Sequence, residues 1–548
     1  MGVDSPLLAQ LLLNRGVARP DALHEFLDLP RPTAPVLDGM AGLDAAIQRI
    51  ERAIDAGQKI VVYGDYDVDG LSGSTILQRT LLALGGKVQV FIPHRDRDGY
   101  GLNSDVLRAL ADQAAGLVIT VDCGVTAAPE VAAANAAGLD VVVTDHHSLA
   151  DQLPQAVAVV NPHRPDCPYP FKGLAGAGVA LKAAQALIER RLSPAARATL
   201  EPVLFGLAAL GTVSDVMPLT GENRAIVRHG LRALNAKPPA GLAALFRRAG
   251  LNRPWVEAED ISFKIAPRLN AAGRMSEASL TQWLLATSDP VEADDLADQL
   301  EAMNTERREV GAAALADAQA QVLALNGALP AGLVVQSSFP SGVLGLVAVK
   351  LCEETGRPVA VVEAADGICR ASVRAPSGHD AVGAVTAGAA YLVRYGGHKG
   401  AAGFSIEAAN IEAFSLAFAA AVASQPTPAE AEPLKAEAWL RPASVDEGLL
   451  DQLARLGPFG HGCPEPLFES LGLTVQEARV VGERHLRVKF GSEGRVLTGI
   501  AFNAAGEGSH PPPALGQVVD ILYRVKPNIW QGRRRADIHL ESWRLAPS

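Results

Sequence analysis

Short runs of Val and Ile alternate with longer Ala- and Leu-rich stretches between about Lys59 and Val160. The runs KIVVY, VQVFIP, LVITV, LDVVVT and AVAVVN are almost continuously apolar, which is typical of strands buried on both faces of a parallel sheet. The stretches between them have the length and composition of helices. The pattern predicts an α/β domain built on a parallel sheet, which we place at residues 41–280.

Ala-rich sequence of helical character continues from Gly173 to about Leu325. It includes a long charged stretch, DPVEADDLADQLEAMNTERREVGAAALADAQAQVLAL, in which apolar residues recur at helical spacing. We interpret residues 281–325 as a helix that connects two globular parts. Residues 1–40, before the first domain, are predicted to form an N-terminal helical segment.

Strand-like runs return after the long helix. GLVVQ, PVAVVE and GICRASV, with the Gly-rich RYGGHKGAAGFSI, predict a smaller α/β domain over residues 326–423. The segment SQPTPAEAEP, residues 424–433, has no apolar period and reads as a linker. Beyond it, HLRVKF, RVLTGIAF and QVVDILYRV are separated by Gly, Pro and Asn turns, which predicts an OB-fold β-barrel over residues 434–548, a fold that often binds oligonucleotides.

Composition fits a multidomain globular protein. The chain has 548 residues and is 48% hydrophobic, enough for several cores. Its five cysteines are widely spaced and contain no CxxC pair, which favours a reducing compartment over a disulfide or zinc framework. No signal peptide and no apolar stretch of about 18 residues is present, so we expect a cytoplasmic protein that does not engage a membrane.

Charge is distributed unevenly. The net charge of −11 would ordinarily disfavour a polyanionic partner. Residues 481–548, however, carry ten Lys and Arg against six Asp and Glu, a local excess of four, so the rest of the chain carries −15. The predicted barrel is therefore the basic part of the molecule.

Acidic and histidine side chains follow three of the predicted strands, in VVYGDYDVDG, VDCG and TDHH. A single acid after a strand is usually the N-cap of the next helix, but three strand ends carrying five acids and two histidines exceed what capping explains. Because the carboxyl ends of parallel strands share one edge of a sheet, we expect these groups to converge. They are Asp65, Asp67, Asp69, Asp122, Asp145, His146 and His147. Asp215, which follows an apolar helix in GTVSDVMPL, offers a further ligand.

So many neighbouring carboxylates require a cation. Carboxylates with imidazole and without thiolate favour Mn²⁺ or Mg²⁺ over a structural zinc. The number of anionic ligands favours two ions, an arrangement that activates a water and stabilises an in-line displacement at phosphorus. The residues thus predict phosphoester hydrolysis.

The same motifs resemble a known family. DYDVDG, VDCG, TDHH and GTVSD, in this order, resemble the four motifs of the DHH phosphoesterases, and GGHKGAAG resembles the glycine-rich motif of their DHHA1 domain. PHRDRDGYGLN, APRLNAAGRM, LGPFGHGCPEPLF and VGERHLRVKF resemble the RecJ exonucleases over roughly residues 40–540. The resemblance implies an enzyme that degrades single-stranded DNA from the 5′ end to mononucleotides, in DNA repair and recombination.

Roles at the metal site also come from this resemblance. It implies two Mn²⁺ or Mg²⁺ ions. His147 is expected to contact the scissile phosphate or protonate the leaving group, and Asp145 to orient the histidines. The implied metal ligands are Asp65, Asp67, Asp69, Asp122, His146 and Asp215.

Contacts to nucleic acid are implied in four segments. An arginine fork matches a phosphate, and a tyrosine offers a stacking face. Ser372 and Arg374 in ASVRA fall on positions expected to bind the terminal phosphate, and glycines in GGHKG let main-chain N–H groups approach a phosphate closely. The implied set is Arg95, Tyr100, Arg268, Asn270, Arg274, Ser372, Arg374, Gly396, Gly397 and His398.

The chain departs from the family pattern in two places. Ala371 and Ala375 replace a Gly and a Ser that flank the ASVRA motif in relatives. Phe339 and Ser341 stand where relatives often carry a Trp-His pair ahead of a Gly-rich turn. We expect the first departure to affect how closely the backbone approaches a phosphate.

The sequence also bears on partners and on two alternative functions. The family resemblance implies single-stranded DNA as substrate, and a single-stranded-DNA-binding protein and a helicase as partners. A DHH phosphodiesterase acting on short oligonucleotides or cyclic dinucleotides would carry the same metal motifs, but the barrel favours a longer strand. A non-catalytic DNA-binding scaffold is least favoured, because all the motif acids and both histidines are present.

Overall fold

Three β-sheets organise the chain. The computed structural model describes residues 5–33, 39–95, 97–99, 101–251, 255–275, 278–325, 327, 329–426, 434–482, 484–492, 494–505, 511–530 and 533–546. It begins with two helices, α1 (Pro6–Asn14) and α2 (Pro20–Asp28).

The first sheet is fully parallel, as the five apolar runs predict. Its strand order is β2-β1-β3-β4-β5. Ile60 and Val62 enter the core on one face, and Val61 and Tyr63 enter the core on the other. The strands are β1 (Lys59–Gly64), β2 (Lys87–Phe91), β3 (Ala115–Val121), β4 (Asp140–Thr144) and β5 (Ala158–Val160).

Helices cover both faces of this sheet and extend the first domain. A π-helical turn, Ile261–Ile265, joins two of them. They are α3 (Leu43–Asp55), α4 (Val68–Ala83), α5 (Ser104–Asp112), α6 (Ala128–Ala136), α7 (Gly176–Arg191), α8 (Pro194–Ser214), α9 (Gly221–Ala236), α10 (Ala240–Arg248), α11 (Ala258–Asp260), α12 (Ala266–Met275) and α13 (Ser279–Ala286). Among the described residues, α8 is the one helix long and apolar enough to cross a membrane by length and composition. Leu204, Leu207 and Leu210 of α8 lie in the core of this domain.

The connecting helix is α14 (Pro290–Ala324), and Asp289 caps its N-terminus. The predicted range 281–325 therefore also contains most of α13. This boundary was missed because both helices carry apolar residues at helical spacing, and only the segment 287–289 separates them.

The second sheet is mixed, with strand order β6-β7-β8-β10-β9. Only β6 and β7 pair in parallel. The glycine-rich strand β9 lies at one edge and is exposed on both faces. The elements are β6 (Leu333–Ser337), α15 (Ser341–Thr355), β7 (Val359–Glu363), β8 (Ile368–Arg374), α16 (Ala381–Ala387), β9 (Leu392–His398), β10 (Ala401–Glu407) and α17 (Ile411–Ala423). Residues 427–433 of the predicted linker lie outside the described residues.

The third sheet closes into a barrel, as predicted, because β12 pairs with both β13 and β15. The elements are β11 (Ala438–Trp439), α18 (Glu447–Leu456), β12 (Phe468–Val481), β13 (His485–Ser492), β14 (Arg495–Ala501), β15 (Val518–Trp530) and β16 (Arg533–Leu545). Short 3-10 helices lie at Ala389–Tyr391, Ala408–Asn410 and Pro442–Ser444.

The N-terminal helices pack on this barrel. Leu8, Leu11 and Leu12 share one hydrophobic core with α18 and the barrel strands. Arg15 forms an ion pair with Glu437 at 2.5 Å. The two ends of the chain thus form one folded unit, a contact that no local pattern in the sequence predicts.

Candidate metal centre and nucleic-acid cleft

The predicted metal ligands meet at the carboxyl edge of the first sheet. Their donor atoms form overlapping groups of three, and within each group they lie within 4.8 Å of one another. Asp122 belongs to two of the groups, and His146 to two. The groups are Asp65, Asp67 and Asp122; Asp69, His146 and Asp215; and Asp122, His146 and His147.

Helix starts hold two of these carboxylates in place. Asp67 caps α4, where it accepts hydrogen bonds from the amides of Asp69 at 2.9 Å and Gly70 at 3.1 Å. Asp69 accepts from the first amides of α7, Gly176 at 2.6 Å and Ala177 at 2.9 Å. A Cβ at Gly176 would lie 2.6 Å from Cβ of Asp122, so only glycine allows α7 to approach this closely.

The site fits a divalent cation. Oδ1 of Asp65 and Oδ1 of Asp122 are buried and accept no hydrogen bond, although Nε2 of His146 lies 3.0 Å from the latter. Burial and then neighbouring carboxylates raise the pKa of Asp65, Asp69 and Asp122 well above the usual range. The same causes raise the pKa of Asp215 to about 7. Oxygen-rich ligands with one imidazole suit Mn²⁺ or Mg²⁺.

Asp145 is occupied by other contacts. Its Oδ2 accepts from Val125 N at 2.9 Å, and its Oδ1 accepts from His146 N at 2.8 Å and lies 2.8 Å from Nδ1 of His147. Burial opposes the charge of His147, but the hydrogen bond and field of Asp145 outweigh it and raise its pKa to about 9. Burial lowers the pKa of His146 to about 4, which keeps that imidazole neutral and able to bind a metal.

A cleft of about 470 Å³ lies between this edge and the second domain. Tyr66 and Arg95 line it from the first domain, with the Arg95 guanidinium 5.6 Å from the centre of the Tyr66 ring. Arg370 and Arg394 line it from the second domain, and no Asp or Glu is found among its described lining residues. The cleft is therefore cationic.

Two further arginines add to this charge. Burial and then the charge of Arg95 lower the pKa of Arg274 to about 10, and the same two causes lower that of Arg374. Nη1 of Arg374 donates to Ser372 Oγ at 3.1 Å. Guanidinium groups that repel one another would be relieved by a bound anion such as a phosphate.

Comparison with known proteins decides the family. Residues 59–212 match the DHH family, N-terminal domain; residues 327–424 match the DHHA1 domain; and residues 436–542 match the RecJ OB domain. The single-stranded-DNA-specific exonuclease RecJ of Dickeya dadantii is 34% identical over 560 residues, covering 98% of this chain and 95% of the relative. The chain belongs to the RecJ family. The RecJ of Thermus thermophilus is 37% identical, covering 96% of this chain and 73% of the relative.

Solved RecJ structures agree with the fold and with the ions. RecJ from Thermus thermophilus in complex with Mn²⁺ matches at a TM-score of 0.82 and 34% identity, covering 99% of this chain and 76% of that chain. The same protein in complex with Mg²⁺ matches at a TM-score of 0.76 and 32% identity, covering 99% and 75%. The α/β, α/β and barrel architecture and the choice of Mn²⁺ or Mg²⁺ are thereby confirmed.

Several residues predicted to bind DNA lie at the cleft. Arg95, Ser372 and Gly396 line it. Gly396 and Ser372 both stand in register with Gly403, so the floor between them carries no side chain. Gly397 and His398 continue the same exposed strand, and Nδ1 of His398 accepts from Gly400 N at 3.2 Å.

Two predicted residues make contacts within the protein, and one is not described. Arg268 makes a bidentate ion pair with Glu301 of α14, at 2.5 and 3.1 Å, and its DNA contact stays a prediction. Oδ1 of Asn270 accepts from Val68 N at 3.2 Å, which holds the first turn of α4. Tyr100 lies outside the described residues.

Sequence reasoning missed Tyr66, Arg370, Arg394 and Tyr395, all of which line the cleft. A signal for Arg370 was available: it lies two residues before Ser372, and alternate residues of a strand share a face. Tyr66 stands between Asp65 and Asp67, and the motif was interpreted only in terms of its carboxylates. The same signal was available for Arg394, which lies two residues before Gly396 on β9, and Tyr395 directly precedes the glycine pair.

The family departures differ in their surroundings. Ala371 and Ala375 pack against the core of the second domain, which contains Val373, and Ala371 also lines the cleft beside Ser372. Phe339 packs against the other apolar cluster of this domain. Ser341 lines the cleft at the start of α15.

Proposed function

We propose that this chain hydrolyses single-stranded DNA from the 5′ end and releases mononucleotides, in DNA repair and recombination. One observation carries the proposal: Tyr66, which lies between the metal-binding Asp65 and Asp67, lines a cationic cleft that can hold a phosphate. Membership of the RecJ family supports the same substrate. The barrel favours a long strand over a cyclic dinucleotide, which would need no third domain.

The proposed ligands of two ions are Asp65, Asp67, Asp69, Asp122, His146 and Asp215. Two bound divalent ions would supply an activated water and charge stabilisation at phosphorus. His147, held by Asp145 and 44% exposed, would contact the scissile phosphate through Nε2 or give its proton to the leaving oxygen. With a pKa of about 9, it carries that proton at neutral pH.

The cleft would bind the strand ahead of the cut. We assign the terminal 5′-phosphate to Ser372 and Arg374, with Arg95 and Arg274 adding positive charge close to it. The glycine floor at Gly396 lets the backbone of the strand lie against the sheet. Tyr66 offers a stacking surface beside Arg95.

Location and partners are further parts of this proposal. All five cysteines are free and buried, which is consistent with a reducing cytoplasm. DNA would be the substrate in that compartment. A helicase would supply the single strand, and a single-stranded-DNA-binding protein would present it. Binding of the purified chain to each purified partner, measured by calorimetry, tests these two contacts.

One assay tests the activity. A single-stranded oligonucleotide labelled at the 5′ end in one reaction and at the 3′ end in another is followed over time with Mn²⁺, and with chelator as control. We expect labelled mononucleotide at once from the 5′ label and a shrinking ladder from the 3′ label. Mononucleotide appearing first from the 3′ label would reverse the assigned polarity, and internal cuts would contradict an exonuclease.

A further inference from the structure

The turn after Asp215 has an unusual backbone. Asp215 ends α8, where its amide donates to Gly211 O at 2.9 Å, and the next residue, Val216, has a φ of 56°. A β-branched residue at positive φ is rare, and it persists only where surrounding contacts hold it. The side chain of Val216 is not buried, since the residue is 64% exposed. The contacts that hold this turn therefore come through its backbone.

Two of these contacts lie within the helix end, where Val216 N donates to Val213 O and Met217 N donates to Thr212 O, each at 3.2 Å. A loop of the barrel domain, residues 458–463, makes two more. Nδ1 of His461 lies 2.9 Å from Val216 O. Because a carbonyl oxygen only accepts, this hydrogen bond requires the proton on Nδ1. In return, Leu219 N donates to His461 O at 2.7 Å. The loop thus bonds to the turn at two points, one on each side of Pro218.

The loop is itself fixed. Gly460 and Cys463 exchange backbone hydrogen bonds of 2.9 and 3.0 Å, which close it into a tight turn. The buried Arg224 of α9 donates to Pro458 O at 3.4 Å. Gly462 has a φ of 71°, and a Cβ there would lie 3.0 Å from Cβ of Pro218, so glycine permits the close packing. These contacts therefore fix the position of His461 next to the turn.

We propose that His461 is a positioning residue for Asp215, through which the barrel completes the metal centre. The side chain of Asp215 is 29% exposed, whereas those of Asp69 and Asp122 are 1% and 3% exposed, so the core restrains Asp215 less than these two. Its Oδ2 lies 3.7 Å from Nε2 of His146. The inference deepens the proposed function and rests on Asp215 being a metal ligand there.

Mn²⁺ binding tests this inference without relying on turnover. The concentration of free Mn²⁺ is measured by electron paramagnetic resonance in titrations of the unchanged chain and of His461→Ala. His24→Ala, which replaces an exposed histidine of α2, is the matched control. We expect His461→Ala to weaken Mn²⁺ binding by about tenfold and to lower kcat similarly, with KM for the oligonucleotide unchanged. His461→Asn, whose amide N–H can replace Nδ1–H, should restore most of both.

A second pair of variants separates positioning from folding. His461→Leu has nearly the shape of His461→Asn but no donor, so their difference reports the hydrogen bond even if the alanine variant folds poorly. In an Asp215→Asn background, His461→Ala should cause no further loss of Mn²⁺ binding, because it acts through that carboxylate. Equal Mn²⁺ affinity of the leucine and asparagine variants, or a full additional loss in the Asp215→Asn background, overturns the inference. Failure of the unchanged chain to cut DNA would overturn the proposed function instead.

Discussion

At the scale of single residues, Asp122 and Asp69 belong to one cluster but have different duties. Asp69 also accepts hydrogen bonds from two amides of α7, so replacing it leaves two buried donors unpaired and costs about 1–3 kcal/mol of stability for each. Oδ1 of Asp122 accepts no hydrogen bond. Asp122 is therefore the cleaner position at which to test metal binding.

We expect Asp122→Asn to lower exonuclease turnover by at least about 100-fold, more than the loss of an outer contact to a metal site produces. Binding of a single-stranded oligonucleotide, followed by fluorescence anisotropy with chelator present, should be unchanged, because the proposed phosphate contacts lie in the cleft. Normal turnover in the purified variant would remove Asp122 from the ligand set.

Proton binding at the cluster gives a second prediction. The pKa of Asp215 is raised to about 7, so the metal-free fold loses stability as pH rises from about 4 through 7. A divalent ion needs the carboxylates deprotonated, so it must displace those protons. The rise in melting temperature caused by Mn²⁺ should be larger at pH 8 than at pH 6, with about a tenfold gain in apparent affinity per pH unit for each proton displaced. Asp215→Asn should flatten this dependence, and an equal rise at both pH values would contradict it.

Arg374 and Arg268 provide a matched pair for end recognition. Arg374 lies beside Ser372 at the cleft, whereas Arg268 is neutralised by Glu301. We expect Arg374→Ala to weaken capture of a 5′-phosphorylated strand by about 1.5–3 kcal/mol relative to a 5′-hydroxyl strand. Arg268→Ala should affect both strands equally. The same loss on both strands for Arg374→Ala would show that it does not read the end.

Residues near the metal could be found from the sequence because their local motifs carry the chemistry. Three strand ends in one parallel sheet must meet, so Asp65, Asp122 and His146 converge without any knowledge of the loops. The ion pair of Arg268 could not be predicted in this way, since its partner Glu301 lies 33 positions later on another helix. The position of Tyr66 in the cleft could not be predicted either, because the cleft is formed only when two domains meet.

At the scale of elements, the edge of the second sheet forms the floor of the cleft. A Cβ added at Gly396 meets no atom within 4 Å, so a larger side chain there is tolerated by the protein and projects into open space. This open space lies over Gly403 of β10, between Gly396 of β9 and Ser372 of β8. Strand β9 is thus an exposed surface open to a ligand rather than part of the core.

We expect Gly396→Leu to raise KM for an oligonucleotide about tenfold or more, as a misplaced substrate does, while leaving the melting temperature unchanged. Gly311→Leu in α14 is the control, because a Cβ there also meets no atom within 4 Å. Thermal denaturation and steady-state kinetics of both variants check this. An unchanged KM in Gly396→Leu would exclude the floor from the path of the strand.

Strands were easier to predict than helix contacts. The runs KIVVY and LVITV are apolar on both faces, and the interior of a parallel sheet covered by helices buries both faces. Strands β1 and β3 therefore follow directly from the pattern. Helix α1 is apolar and contains several leucines, as does α8 of the first domain, yet Leu8 and Leu12 of α1 pack on the barrel. The partner of an amphipathic helix depends on where the chain travels, which its own pattern does not encode.

At the scale of the whole molecule, the barrel cannot be treated as an appendage. Deleting residues after 433 would expose Leu8, Leu11 and Leu12 of α1 and would remove the loop that contacts the Asp215 turn. Loss of DNA binding in such a deletion would therefore mix lost charge with lost packing. Charge substitutions in the full chain separate the two effects.

The basic end of the barrel gives the last prediction. Arg533 and Arg535 are exposed on β16, in a segment where Arg534 is already paired with Asp451. If the two exposed arginines contact phosphates, each should contribute about 0.7 to the slope of log affinity against log salt for a single strand. The double variant Arg533→Gln and Arg535→Gln should therefore lower that slope by about 1.4, measured on a long oligonucleotide at several salt concentrations with chelator present. The matched double variant Arg247→Gln and Arg248→Gln, whose guanidinium groups pair with Asp294 and Asp298, should leave the slope unchanged. Equal slopes for all three proteins would mean that this end of the barrel touches no phosphate and that its charge serves a protein partner instead.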